Sequence, residues 1–478
     1  NKKYNEKNNK NIKSNNGGQL MATTYIQRTP SGAYYPKATF SFWFKRSGLG
    51  EMGLFGRKGS NSTANLSTCH FGSDDSLLIN FRDSGGTSKY YQITNRKFRD
   101  TNAWYHFHYI IEGDNSTQGD RSRLYINGVR ETSFALNNNP SSNSYEIATF
   151  LSSDGALTVG RALRSQTNTF GNFNGSISHF HCSTGYAYEP TVFGETDATT
   201  GEWKIKTSPT FTPGTDGFTI LKDGNTITDQ SSNSNDFSLG AGTLTKTEDS
   251  PSNVFATWNV LDSQYFWGAA ESSWCTNGNT TARTGNSQYS SCTATLGASS
   301  GKYYWEFKYD AKSGSDNLWH LGIKSTQDTA VTTALGINST DYAYKAYNGQ
   351  SMSDNSSSAY GSTYAVGDII GVALDLDNNK LYFHKNGTYQ NSGVPTSGST
   401  GTGAISIAAA STTEFGVYVP AFSWNDGSSY GTNSVNFGNG YFGTTAVSSA
   451  GTNASGNGIF EYDVPTGYTA LSTKGLNL

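Results

Sequence analysis

Two histidine pairs are the first candidates for chemistry. His106 and His108 flank Phe107, and His179 and His181 flank Phe180. On a strand, residues two apart share a face, so each pair could offer two imidazoles to a metal ion. The alternative is that Phe107 and Phe180 point inward while the histidines decorate an exposed sheet. Metal binding would also need the two strands to be neighbours, and no carboxylate is evident to orient the rings from behind. Glu195, Asp197 and Glu202 in FGETDATTGEW could serve as acid and base, because glycoside hydrolysis uses two carboxyl groups facing one bond. The intervening Thr and Gly suit a turn better than a core strand, so a polar surface loop is the expectation and catalysis is not. Asp74, Asp75 and Asp114 are possible oxygen donors to calcium, the one cofactor the sequence leaves open. Tyr360, Tyr389, Trp424 and Tyr430 lie in stretches expected to be loops, where aromatic rings can anchor a sugar or a peptide; for any one of them the favoured reading is that it packs against its own loop, since surface aromatics are common and hot spots few.

Other motifs fail on their context. Gly297-x-Ser299-x-Gly301 has the spacing of a nucleophile elbow but precedes a strand, with no helix after it. Gly48–Gly53 and Gly438–Gly443 both spell G-x-G-x-x-G without a strand–helix–strand unit around them. Asp375, Asp377 and Asn379 imitate the start of a calcium loop, but Lys380 stands where that loop needs glycine.

The elements that must position these residues are strands. In Val366–Gly387, Ile370, Val372, Leu374 and Leu376 share one face. A polar turn at Asp377–Lys380 leads back through Leu381 and Phe383, and Asn386-Gly387 opens a second tight turn. Phe40, Phe42 and Phe44 alternate in the same way, as do Leu77, Ile79 and Phe81, then Tyr105, Phe107, Tyr109 and Ile111, and later Tyr303, Trp305, Phe307 and Tyr309. With 54 glycines and 10 prolines and no amphipathic helix, the chain is expected to be all-β. It should form two tandem antiparallel β-sandwiches. A length of 478 residues exceeds one ordinary domain. The expected division is a polar arm at 1–20, a first sandwich at 21–205, a β-rich connector at 206–255 and a second sandwich at 256–478. Phe218, Ile220 and Phe237 should pack the connector against one of the sandwiches. The arm, rich in Asn and Lys, should be disordered unless a neighbouring chain holds it. Met21 opens MATTYIQR, a natural start, so the arm reads as an upstream extension.

The order FSFWFK, a Trp-led strand, LYINGV, VGR and NGSIS resembles the laminin-G and concanavalin A-like lectin family over about residues 25–185. That resemblance implies a jelly-roll sandwich. It also raises the glucanases of this fold, whose Glu-x-Asp-x-x-Glu pattern Glu195, Asp197 and Glu202 miss by spacing. In the second half, GKYYWE, LGI, the Gly367-Asp368 entry, LYFHKNG, YVPAFS and VNFG resemble, in order, SPRY domains. The resemblance implies a second sandwich that binds peptides or other ligands through loops at one end. Together, the two halves and their Asn/Ser/Thr/Gly-rich surface resemble bacteriophage virion proteins such as tail fibres and capsid decorations. They imply a non-catalytic adhesion protein of the virion surface or extracellular space, an oligomeric mount, and binding to a host glycan or surface protein. The alternative is a structural virion protein touching only other virion chains; a secreted glycan hydrolase stands further off.

Charge narrows the partners. The net charge is −3, and 15% of residues are charged against about 25% in typical domains, which gives no electrostatic case for nucleic acid. No apolar run approaches the roughly 18 residues of a membrane span, so no membrane insertion is expected. Four cysteines fall two in each half, Cys69 with Cys182 and Cys275 with Cys292. They permit disulfides outside a cell or free thiols inside one.

Overall fold

The computed structural model describes residues 23–31, 35–59, 66–82, 86–142, 155–164, 169–222, 226–264, 274–285, 290–315, 317–326, 334–425 and 429–477. The polar arm expected at 1–20 lies outside the described residues. The described chain is all-β, and its helices are 3₁₀ turns of three to six residues. None is long and apolar enough to cross a membrane.

Two pairs of facing sheets each enclose a separate apolar core. In the first sandwich, a six-stranded sheet runs in the order Phe218–Ile220, Gly175–Thr184, Lys37–Arg46, Trp104–Glu112, Ser122–Ile126 and Val129–Arg130. It faces a ten-stranded sheet that includes Met52–Gly59, Leu66–Phe71, Ser76–Arg82 and Ser88–Lys97. The alternation predicted from sequence places Phe40, Phe42, Phe44, Phe107, Tyr109 and Ile111 between the sheets. Phe42 is the centre of this layer, with ring centroids 4.7 Å from Phe107 and 4.6 Å from Phe180. Such aromatic pairs contribute about 0.5–1.5 kcal/mol each beyond the area they bury.

Most of the expected connector belongs to the first sandwich. Phe218–Ile220 extends the six-stranded sheet beside Gly175–Thr184, and Ser238–Ala241 extends the ten-stranded sheet beside Tyr25–Arg28. Phe218, Ile220 and Phe237 are buried in the first core. The hand-over follows at Asp249. This carboxylate takes the buried ammonium of Lys45, on the first sandwich, at 3.0 Å and the backbone N–H of Phe255, on the second, at 3.1 Å.

In the second sandwich, the nine-stranded sheet carries Lys302–Lys312 between Gly431–Asn436 and Ile369–Asp375, with Lys380–Lys385 next. Ile370, Val372, Leu374 and Leu376 enter the core as their spacing requires, and Asn386 and Gly387 adopt φ of 49° and 84° in the tight turn that follows. Tyr303, Trp305, Phe307 and Tyr309 face the same core. Opposite them, the seven-stranded sheet brings in Trp319–Lys324, Tyr342–Lys345 and Val419–Trp424. The segment after Asn436 folds back, and Thr469–Ala470 lies parallel to Tyr303–Tyr304. Cys69, Cys182, Cys275 and Cys292 are buried free thiols, and burial pushes each of them up from the ordinary thiol range.

Candidate functional site: a loop rim on the second sandwich

Strand register gathers several connections at one end of the second sandwich. Lys312 stands opposite Gly431, Trp319 opposite Trp424, His320 opposite Lys345, and Ile370 opposite Lys385. The turns beyond these residues therefore form one rim. Backbone bonds tie the turns together: Gly361 N–H donates to Gly349 O at 2.8 Å, Tyr364 N–H to Ala346 O at 3.1 Å, and Ser313 N–H to Tyr430 O at 2.9 Å. Asp368 braces the next turn, accepting from Ala365 N–H at 2.8 Å, from Asn386 Nδ2 at 2.7 Å and from Lys385 Nζ at 3.1 Å. A surface ordered before a partner arrives loses less entropy on binding.

Apolar and aromatic groups stand on this braced rim. Tyr347 is 50% exposed and Val366 48%. The exposed guanidinium of Arg283 lies 4.0 Å from the centroid of the half-buried Tyr430 ring, a stacked pair of the kind that favours recognition. Lys345 Nζ is held by Ser357 Oγ at 2.7 Å and lies 5.4 Å from the Tyr347 ring.

Of the four aromatics expected on loops, the structure places Tyr430 on the rim, while Trp424 ends a strand in the core, Tyr360 is buried, and the half-buried Tyr389 packs against that core. Trp424 is fully buried (0% exposed). It meets Trp319 edge to face at 4.9 Å, and its indole N–H donates to Ser429 O at 3.0 Å, so it is the floor under the rim. Gly431 is what lets it lie there, since a Cβ at that position would come within 2.5 Å of the indole. Tyr360 is 8% exposed, its ring edge-on to Tyr344 and its hydroxyl accepting from Phe383 N–H at 3.0 Å. Tyr389 turns its ring toward His384 at 5.3 Å, and its buried hydroxyl has no hydrogen-bond partner among the described residues. Arg283, Tyr347 and Val366 were not singled out from sequence. For Tyr347 a signal existed: Tyr342, Tyr344 and Ala346 face the core, so Tyr347 falls on the opposite phase, just before an Asn348-Gly349 turn.

Beneath this end runs a directed chain of buried hydrogen bonds. Gly387 N–H donates to His384 Nδ1 at 3.1 Å, which leaves the proton of a neutral ring on Nε2. His384 Nε2–H then donates to Tyr304 Oη at 2.6 Å, and Tyr304 O–H donates to Glu306 Oε1 at 3.0 Å. Burial holds His384 down to about 3, so the ring is neutral at ordinary pH. Glu306 also accepts the backbone N–H groups of Glu461 and Tyr462 at 2.9 and 2.8 Å and the amide of Asn436 at 3.2 Å. Burial nevertheless outweighs these four donors and raises its carboxyl to about 7. The chain clamps the C-terminal segment onto the sheet, and its members are closed off from solvent.

In the first sandwich the histidines take a different place from either expectation. The strand Lys37–Arg46 lies between Trp104–Glu112 and Gly175–Thr184, so the two histidine strands are not neighbours. The outer face of the sheet is not exposed either, because residues 186–211 cover it. His106, stacked 4.9 Å from Trp43, accepts at Nδ1 from Trp203 Nε1–H at 2.9 Å and contacts Ser41 Oγ at 2.8 Å. His108 Nε2–H donates to Tyr188 O at 2.8 Å, and His181 stacks on Phe193. His179 occupies a bulge with φ of 51° and bonds to Ser178. Burial drives His106 far below its ordinary value and His108 and His181 to about 3. The described residues hold no group of three or more His, Cys, Asp or Glu placed to bind a metal.

The acidic trio lies on one hairpin, Glu195 on the strand Gly194–Thr196 and Asp197 and Glu202 in the turn that leads to Trp203–Ile205. Asp197 is held below the usual carboxylate range by Lys204, at 2.5 Å, and by the N–H groups of Thr200 and Thr199. The turn delivers Trp203 onto the sheet, where Gly128 and Gly194 leave room that a Cβ would fill. The acids considered for calcium are already engaged by cations: Asp74 by Lys97, Asp75 by Arg46 and Arg99 at 3.1 Å each, and Asp114 by Lys37 at 3.5 Å.

Two family models that match parts of the chain agree with this architecture. Residues 302–436 match the family described as the SPRY domain, and residues 16–192 match the concanavalin A-like lectin/glucanases superfamily. Ran-binding protein 9 of Danio rerio and that of Homo sapiens are each 34% identical to the chain over 91 residues, 19% of its length. The match spans only 15% of the zebrafish protein and 12% of the human one. Among solved structures, the SPRY domain of human HERC1 is 17% identical, with 37% of this chain and 96% of that one covered and a TM-score of 0.28. A native heptameric SAP-like pentraxin from Limulus polyphemus is 15% identical, covering 35% of this chain and 72% of its own, with a TM-score of 0.26.

Proposed function

We propose that this chain, in which a concanavalin A-like domain precedes a SPRY domain, is a non-catalytic binding protein whose rim on the second sandwich grips an exposed segment of another protein. The observation that carries the reading is the rim itself. Tyr347, Val366 and the Arg283–Tyr430 stack stand on turns already hydrogen-bonded to one another. Aromatic and arginine side chains on an ordered surface are the usual anchors of a protein interface. We further propose an extracellular or virion-surface setting, with attachment to a host surface as the role. The weakly charged surface rich in Asn, Ser, Thr and Gly supports that setting.

Panning a random 12-residue peptide display library against the full chain tests the rim. Enriched peptides should bind wild type at least tenfold more tightly than an Arg283→Ser, Tyr347→Ser double variant with an unchanged melting curve. Peptides that bind both proteins equally would place the interface elsewhere.

A further inference from the structure

A cavity of about 560 Å³ opens where the two sandwiches meet, and the described chain begins at its edge: Thr23, Thr24, Tyr25 and Ile26 are part of the wall. Thr24 is clamped there. Its hydroxyl donates to Thr243 O at 2.9 Å and accepts from Thr243 N–H at 3.1 Å. Gly242 lets the two segments close up, since a Cβ at that position would come within 2.4 Å of Thr24 Oγ1.

The cavity presents apolar surface from both sandwiches. Tyr25, Ile177, Leu244 and Tyr441 line it, and each is only half-buried. Residues 1–22 lead into this edge and are polar almost throughout, with five lysines against one glutamate. Leu20 and Met21 are their one adjacent pair of large apolar side chains. At about 3.3 Å per residue, Met21 lies within about 7 Å of Thr23 and Leu20 within about 10 Å. Both therefore reach the cavity, while the lysines, at positions 2 to 13, can stay in water. A short tether holds such a pair at roughly millimolar effective concentration. Each large apolar side chain taken out of water favours the seated state by about tenfold or more.

We propose that this cavity is the docking site of the chain's own arm, with Leu20 and Met21 seated between the sandwiches so that the arm straps the seam shut. The inference does not draw on the rim, and neither proposal depends on the other.

Hydrogen peroxide tests whether Met21 is seated. It transfers one oxygen atom to the thioether sulfur, giving the sulfoxide and water. Met21 in the full chain should oxidise at least about tenfold more slowly than in a synthetic peptide of residues 12–24. Leu20→Asp should bring it to the peptide's rate, and Ile12→Asp should not. Hydrogen exchange tests the place. The segments 243–249 and 439–444 wall the cavity from either side, and both should exchange faster in Leu20→Asp than in wild type. The proposal is overturned if Met21 oxidises at the peptide's rate, which would leave the cavity to water. It is equally overturned if Met21 is protected but the two wall segments exchange alike in both proteins, which would seat the arm elsewhere. Protection that fades on dilution over about two decades of concentration would make the occupant a second copy's arm, and overturns it too. The wild-type oxidation rate decides the first and last outcomes without any variant.

Discussion

Glu306→Gln exchanges one oxygen of a buried carboxyl for an amide and keeps its volume. In the native chain the group takes up its proton near pH 7, against 4.5 for an ordinary glutamate. The unfolded chain releases that proton first as pH rises. The stabilisation from a protonated Glu306 is therefore complete below pH 4.5 and is lost as pH climbs through 7. At roughly 1.4 kcal/mol per pKa unit, the loss is about 3 kcal/mol. Glutamine cannot titrate. Because both carboxyl oxygens accept a backbone N–H, its NH₂ must also face one of them, which adds a pH-independent cost of about 1–3 kcal/mol. Urea unfolding followed by tryptophan fluorescence, at half-unit steps from pH 4.5 to 7.5, gives the stability of both proteins. Titrations elsewhere cancel in the difference, wild type minus variant, which should shrink by about 3 kcal/mol across that range. A difference constant to within about 0.5 kcal/mol, or one that widens with pH, refutes the claim that burial outweighs the four hydrogen bonds.

Further outcomes follow from other parts of the molecule. Burial keeps His70, His106, His108 and His181 of the first sandwich neutral in the folded chain, and His320 and His384 of the second, so the stability they contribute is present above pH 6.5 and lost as pH falls. At roughly 2 kcal/mol each by pH 5, the first sandwich has twice as much to lose, and hydrogen exchange resolved by peptide should show it losing protection before the second. Gly371→Ala would set a Cβ 1.8 Å from His384 Nε2. Displacing that ring breaks the hydrogen-bond chain to Glu306, and thermal melting should register a loss of at least about 3 kcal/mol. Trp424→Ala should cost about 3–5 kcal/mol of stability as a core truncation. Tyr347→Ala should cost under about 0.5 kcal/mol yet remove binding of a rim-dependent peptide. If Trp424→Ala melted like wild type, its place in the core would be wrong.

The two cores were legible because alternation carries them. Phe40 to Phe44, Ile370 to Leu376 and Tyr303 to Tyr309 each occupy the face that a period of two assigns, and no tertiary context overrides them. Trp424 was equally legible in principle, since Tyr418, Phe422 and Trp424 share one phase, but the Gly- and Ser-rich residues after it made the stretch look like loop. Tyr360 offered no such cue, because it follows a serine-rich run whose placement depends on a hydrogen bond to Phe383. The Arg283–Tyr430 stack joins residues 147 positions apart, and only the pairing of Arg283 with Thr432 brings them together. The histidines misled for a related reason. Period two gave them a common face, but nothing local announced that Trp203 and Phe193 would return to cover it.

The parallel strand at Thr469–Ala470, together with the clamp on Glu461 and Tyr462, decides what an excised fragment must contain. A piece cut at 302 and 436, the limits of the family match, would omit two of the four donors to Glu306, the backbone N–H groups of Glu461 and Tyr462, and the sheet neighbours Thr281–Arg283 and Ser290–Ala294. Its flanks would be raw edges and naked apolar surface. An excised second half must keep Phe255, buried in that core and bridged to Ser472, and so has to reach from within the expected connector at least to Ser472.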